Sequence, residues 1–241
     1  MHIIKAQEMM EGSGVTVRRL FPFYRDRLVA DPFVLWDDFS IGEGAGFPTH
    51  AHRGFEAITY LFSGSMNHAD NLGHDSTVTP GGAQRFTAGS GIQHSEMPGD
   101  NGVTTGIQLW INLPQSMKQI DPGYQQVNAE DIPQQEINGV TVREIVGGHS
   151  PVLLKTPVRY AEILMTQGSE YTIDVDSGMQ GIIYQQNGNT SINDQQLSAG
   201  QAMQVTEGEQ AVVRAAESSR IMLALGKPHH ETVRLSGGFV D

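Results

Sequence analysis

Five of the nine histidines, His50, His52, His68, His74 and His94, fall between residues 50 and 94. His50-Ala51-His52 has i, i+2 spacing, which on a β-strand sends both imidazoles to one face. His94-Ser95-Glu96 repeats that spacing with a carboxylate. Two such strands side by side would bring three imidazoles and a carboxylate to one point. There is no cysteine, so a thiolate zinc site, an iron–sulfur cluster, a cysteine nucleophile and a disulfide framework are all excluded. Nitrogen and carboxylate donors suit Fe(II), Mn, Co, Ni, Cu or Zn. Four protein ligands on a six-coordinate ion would leave positions open for oxygen activation or Lewis-acid chemistry. His68 and His74 lie in the polar stretch Asn67-His68-Ala69-Asp70-Asn71-Leu72-Gly73-His74 and read as loop residues. The pair His229-His230 takes no assigned role.

Strands are the elements that must position these side chains. With 28 Gly and 11 Pro in 241 residues, the chain is interrupted too often for a helical bundle. Short β-branched and aromatic runs bounded by turn residues recur at Phe33–Phe39, Phe55–Phe62, Gly106–Leu113, Val140–Val146, Tyr160–Met165, Gly181–Gln185, Ala202–Val205, Ala211–Ala215 and Arg220–Leu225. Such a series predicts a β-sandwich or barrel. From Pro114 to Pro133 the alternation fails, and that stretch reads as a connection with a helical turn around Ser116–Ile120. Two β-domains follow, residues 1–130 carrying the metal ligands and residues 131–241 without them, since no histidine occurs between His149 and His229.

The net charge of −12 disfavours direct nucleic-acid binding. The opening residues lack a basic end and apolar run, and no apolar stretch approaches the ~18 residues that span a bilayer. A cytoplasmic protein without membrane contact is the expectation. Arg18, Arg19, Arg25 and Arg27 form a local basic cluster, read as a solvated face.

The flanks of the histidines carry a resemblance. His50-Ala51-His52-Arg53-Gly54-Phe55-Glu56 followed by Thr59-Tyr60-Leu61 resembles the opening motif of the pirin family. In order come His68-Ala69-Asp70-Asn71-Leu72-Gly73, Thr87-Ala88-Gly89-Ser90-Gly91-Ile92-Gln93-His94-Ser95-Glu96, and Gln108-Leu109-Trp110-Ile111-Asn112-Leu113-Pro114. Upstream, Asp31-Pro32-Phe33-Val34-Leu35-Trp36-Asp37-Asp38-Phe39 also fits, and there are weaker echoes at Tyr124-Gln125, Gly147–Pro151 and Gly237-Gly238-Phe239-Val240.

The resemblance implies an all-β bicupin, two β-sandwich or jelly-roll barrels in one chain, with a mononuclear metal, usually iron, in the first barrel only. Carried onto this sequence, the ligands would be His50, His52, His94 and Glu96. The general cupin pattern offers Glu56 instead, four residues after His52. With Glu96 as the ligand, Glu56 would orient an imidazole from behind.

The resemblance further implies one of two functions. One is a quercetin 2,3-dioxygenase-like oxidoreductase, with a flavonol chelating the metal, Glu96 accepting its hydroxyl proton, and Phe47, Phe55, Phe62 and Trp110 offering apolar walls. The other is a non-catalytic metal-binding regulator whose partner is a protein, a transcription cofactor or a partner of a metabolic enzyme, for which the Arg18–Arg27 cluster is the available surface.

Overall fold

The computed structural model describes residues 2–22, 30–100 and 102–241. Strands dominate, as expected, and the helical content of the described residues is two single 3-10 turns, Gln115–Met117 and Ala129–Asp131. Among the described residues no helix is long and apolar enough to cross a membrane.

Two compact units divide the chain, and each takes a piece from the other half of the sequence. Gln7–Asp131, Leu154–Thr156 and His229–Asp241 form the first; the rest, including the opening strand His2–Lys5, forms the second. Among the described residues each unit contains one antiparallel sheet of seven strands and one of four, and the first adds the short pair Leu235–Ser236 and Phe239–Val240.

In the first unit the seven-stranded order is Gly123–Val127, Ala83–Thr87, Phe55–Ser63, Thr104–Asn112, Phe33–Ile41, Val15–Phe21, Gln7–Glu11. The four-stranded order is Phe47–His52, Ile92–Pro98, Met66–Asp70, Asp75–Val78. Central strands such as Phe55–Ser63 are buried along most of their length, because both faces are covered. Ile92–Pro98 alternates instead, with Ile92, His94 and Glu96 inward and Gln93 exposed. Apolar residues of the two sheets, among them Leu35, Phe55, Phe86, Ile92 and Trp110, form a cluster around one end of this unit.

The second unit repeats the plan with different filling. Its two strands equivalent in sheet order to the histidine strands are Glu170–Asp174 and Gln210–Ala215. They turn Ile173, Ala211, Val213 and Ala215 into a continuous apolar core.

Two features depart from the sequence reading. The stretch from Pro114 to Pro133 is not a plain connection, since Gly123–Val127 pairs with Ala83–Thr87 at the edge of the first unit's larger sheet. Its Gln-rich composition hides the strand because an edge position tolerates polar side chains on both faces. Arg18 and Arg19 do not present a free basic face: in register with Asp38 and Asp37, they pair with those carboxylates, and Arg19 also reaches Glu11 at 2.8 Å. Arg25 and Arg27 lie outside the described residues.

The pairing of His2–Lys5 with Gln201–Thr206 makes the opening strand the edge of the second unit's sheet. Deleting residues 2–5 should therefore raise amide hydrogen exchange in Gln201–Thr206 while leaving Ile92–Pro98 protected. Hydrogen-exchange mass spectrometry of the two peptides checks this; equal protection before and after deletion would contradict the pairing.

Candidate metal centre

Phe47–His52 and Ile92–Pro98 are hydrogen-bonded neighbours, and His94 stands directly opposite His50. Because His52 shares the face of His50, three imidazoles meet, with ring centroids 4.5, 4.6 and 5.0 Å apart. One ring nitrogen of each lies within 4.8 Å of the others. Bonds of ~2.1 Å at right angles would set these nitrogens about 3 Å apart, so a modest rotation of the rings suffices. Among the described residues no other three His, Asp or Glu donors lie so close.

Backbone carbonyls fix two of the rings. His50 Nδ1 donates to Pro48 O at 2.8 Å and His52 Nδ1 to Gly238 O at 3.1 Å, which leaves both Nε2 atoms as lone-pair donors. Both ring nitrogens of His94 are buried and have no hydrogen-bond partner among the described residues. A buried imidazole without a partner is costly unless something else satisfies it, and a divalent ion shared with the other two does so. Burial, then the imidazoles of His94 and His50, pulls His52 down to about 3. Burial, with His50 and His68, pulls His94 down to about 2. Both rings are thus neutral at physiological pH, the state that ligates.

Glu96 lies on the same inward face, but the pairing slips between His94 and Glu96, so Glu96 stands opposite Phe47. Its carboxylate is outside the three-histidine group and lines the same cavity. Gln108 Nε2 donates to Oε2 at 2.9 Å, while Gln84 Nε2 and the Thr59 hydroxyl reach Oε1. Glu56 is wholly buried elsewhere: Thr87 Oγ1 donates to it at 2.8 Å and the Lys155 amide at 2.7 Å. It therefore does not orient an imidazole, and burial pushes its carboxyl upward.

His68 is not a loop residue. It is fully buried in the strand Met66–Asp70, stacks on Tyr124 at 4.0 Å, and binds Asp70 through Nε2 at 3.0 Å. The turn signal misplaced it because the turn begins only at Asn71, whose neighbour Asp70 also holds His74. His229 sits beside Asn112 and Thr156, at 3.5 and 3.3 Å, away from the three rings' contacts.

The cavity has a volume of about 680 Å³. Phe47 and Trp110 line it; Phe55 packs behind Trp110 at 4.1 Å, and Phe62 lies against Tyr60. Thr59 and Gln84 were not singled out from the sequence. For Thr59 the available signal was a polar side chain in a mostly apolar strand; Ala83–Thr87 is too polar to have marked Gln84.

The segment ending in Gly238-Phe239-Val240 packs on the loop after His52. Val240 N donates to Arg53 O at 3.1 Å, and Lys118 Nζ donates to both Gly54 O and Val240 O. Gly238 is required by close approach: a Cβ there would come 2.4 Å from Ala51 O and 2.7 Å from His52 Nδ1.

Comparison with known proteins agrees with the motifs. The Pirin family model matches residues 14–111 and the Pirin C-terminal cupin domain matches residues 160–241. Rat Pirin is 36% identical over 98% of this chain and 85% of its own length. The chain belongs to the pirin family. Its two units are the two cupin domains of a bicupin, the fold expected from the resemblance. A crystal structure described as quercetin 2,3-dioxygenase from Acinetobacter baumannii is 28% identical, covering all of this chain and 90% of that one, with a TM-score of 0.90. A bacterial pirin from Escherichia coli, solved in complex with nickel(II), is 20% identical over 94% of this chain and 98% of that one, with a TM-score of 0.76, a likeness of fold. This pirin-family chain thus carries a three-histidine site suited to a divalent metal.

Two outcomes follow from the geometry. Gly238→Ala should displace the His52 ring and weaken metal affinity about 10–100-fold, read by competition with a chromophoric chelator. An unchanged affinity would mean that the Gly238 carbonyl does not position His52. In metal-free protein, the unfolded state binds protons on His52 below pH ~6.5 while the folded state does not until about pH 3, so stability falls as pH drops through that window. Between pH 7 and pH 5 the loss from this residue should be about 2 kcal/mol, and His52→Gln should remove it from the urea-unfolding free energy. An identical pH slope in the variant would contradict the assignment.

Proposed function

We propose that the chain is a metal-dependent dioxygenase that opens the heterocyclic ring of a flavonol such as quercetin with O2 and releases CO. A single metal, which we assign as Fe(II), is held by His50, His52, His94 and Glu96. The observation that carries this reading is one cavity that joins His50, His52 and Glu96 to the aromatic walls Phe47 and Trp110, with the His94 ring packed against both histidines. Its volume is in the range that encloses a small organic ligand. The likeness to the Acinetobacter baumannii quercetin 2,3-dioxygenase supports the same reading.

When bound, the metal supplies Lewis acidity that acidifies a chelating hydroxyl and a place where substrate and O2 meet. The chain's own groups do the rest. Glu96 takes the proton of the 3-hydroxyl, and donors from Gln108, Gln84 and Thr59 hold its carboxylate in place. His52, with its Nδ1 anchored on Gly238, keeps a fixed orientation through the reaction. Trp110 and Phe47 exclude water from the substrate face. The alternative, a non-catalytic partner protein, gains no free basic surface from Arg18 and Arg19, which are paired with Asp38, Asp37 and Glu11.

Metal-loaded protein should consume quercetin in air with release of CO and leave a flavone without the 3-hydroxyl untouched. Glu96→Gln should lower turnover by more than 100-fold and Glu56→Gln by less, because only Glu96 faces the cavity. If every metal tested leaves the flavonol intact, the dioxygenase reading fails. If Glu56→Gln empties the site while Glu96→Gln leaves it filled, the carboxylate ligand has been misassigned.

A further inference from the structure

The seven-stranded sheet of the first unit carries one polar row across its whole width. Direct cross-strand pairing links Gln126 to Gln84, Gln84 to Thr59, Thr59 to Gln108, Gln108 to Asp37, Asp37 to Arg19, and Arg19 to Gln7. All seven positions are therefore on the same face, and the inner ones are buried or half-buried. The rows on either side are apolar where they reach the cavity: Trp110 stands opposite Leu35, and Phe39 opposite Val17. A polar rail between two apolar rails is the floor of the cavity, with His50, His52 and Glu96 on the opposing sheet.

The hydrogen bonding along the rail divides into two halves. On one side, Gln84, Thr59 and Gln108 are linked to one another and to Glu96. On the other, Arg19 grips Asp37 through Nε and an η nitrogen at 2.8 and 2.6 Å. Gln108, Asp37 and Arg19 all open on the cavity. At the spacing of neighbouring strands, Arg19 is about 10 Å from Gln108. That length fits a flat ligand of more than one ring lying along the rail, with its chelating end at the histidines.

We propose that Asp37, held by Arg19, is the distal subsite of the cavity and selects substrates that carry a hydroxyl donor at the end remote from their metal-chelating oxygens. This deepens the flavonol reading and rests on it. Asp37 keeps lone pairs beyond the two that face Arg19, so it accepts a phenolic O–H without losing its partner. Arg19 is shared between Asp37 and Glu11, so among the described residues lining the cavity Glu11, Asp37 and Glu96 stand against one guanidinium. Next to Asp37 this balance disfavours a ligand carboxylate and admits a neutral hydroxyl. The apolar rails meet the ring faces while the rail meets the ring edge.

The test uses full-length protein loaded with Zn(II), so that binding is read without turnover. Affinities are measured by tryptophan fluorescence for 3-hydroxyflavone, for quercetin, and for the quercetin derivative in which the remote-ring hydroxyls are methylated. Wild type should bind quercetin about tenfold or more tightly than the other two, the gain expected of a hydrogen bond to a charged group. Asp37→Asn should bring the three affinities together while still binding 3-hydroxyflavone. Equal affinities in wild type, or an undiminished preference in Asp37→Asn, would overturn the subsite. If Asp37→Asn does not fold, the methylated ligand decides alone in wild type. If no flavonol binds the Zn(II)-loaded wild type at all, the flavonol reading itself falls and the subsite with it.

Discussion

The register between Phe47–His52 and Ile92–Pro98 is the constraint on which the site depends. Setting His94 opposite His50 makes a cluster of imidazoles possible, and a slip of one residue would send the pair to opposite faces. That register is held from several sides. Ile92 is drawn into the apolar cluster with Phe55, Phe86 and Trp110. Met66–Asp70 pairs with the far edge of the Ile92–Pro98 strand, matching His94 to Asp70 and Glu96 to His68. The irregularity between His94 and Glu96 then sets Glu96 opposite Phe47, where its carboxylate lines the cavity and is held by the Gln84–Thr59–Gln108 row.

The second unit shows what the same sheet order does without that chemistry. Its equivalent strands place Ile173, Ala211 and Val213 inward, and the space closes into hydrophobic core. Burying apolar side chains stabilises such a barrel by roughly 25 cal/mol per Å2, whereas burying neutral imidazoles without partners costs stability. The first unit accepts that cost at one end, which is where its cavity lies. The segment Gly238-Phe239-Val240 is then part of the centre as much as the histidine strands are, because it supplies the carbonyl that anchors His52.

Much of this was legible in the sequence. Alternation revealed the central strands, Val140–Val146 among them, and the i, i+2 pairs revealed the rings that converge. Edge strands such as Gly123–Val127 and Gln7–Glu11 escaped notice because side chains at an edge are chosen for water as much as for core. The polar row escaped for a different reason: Gln84, Thr59, Gln108, Asp37 and Arg19 are scattered between residues 19 and 108, and only cross-strand register aligns them. His68 was misread because a polar, turn-like composition extends back into a buried strand.

The central claim, one metal held by the three histidines, is tested most directly by anomalous X-ray scattering from crystals of protein purified without an affinity tag. The account predicts a single strong peak at the convergence of His50 Nε2, His52 Nε2 and a ring nitrogen of His94, within about 2.3 Å of each. A peak elsewhere, or none after incubation with Fe(II), Ni(II) and Zn(II), would contradict it.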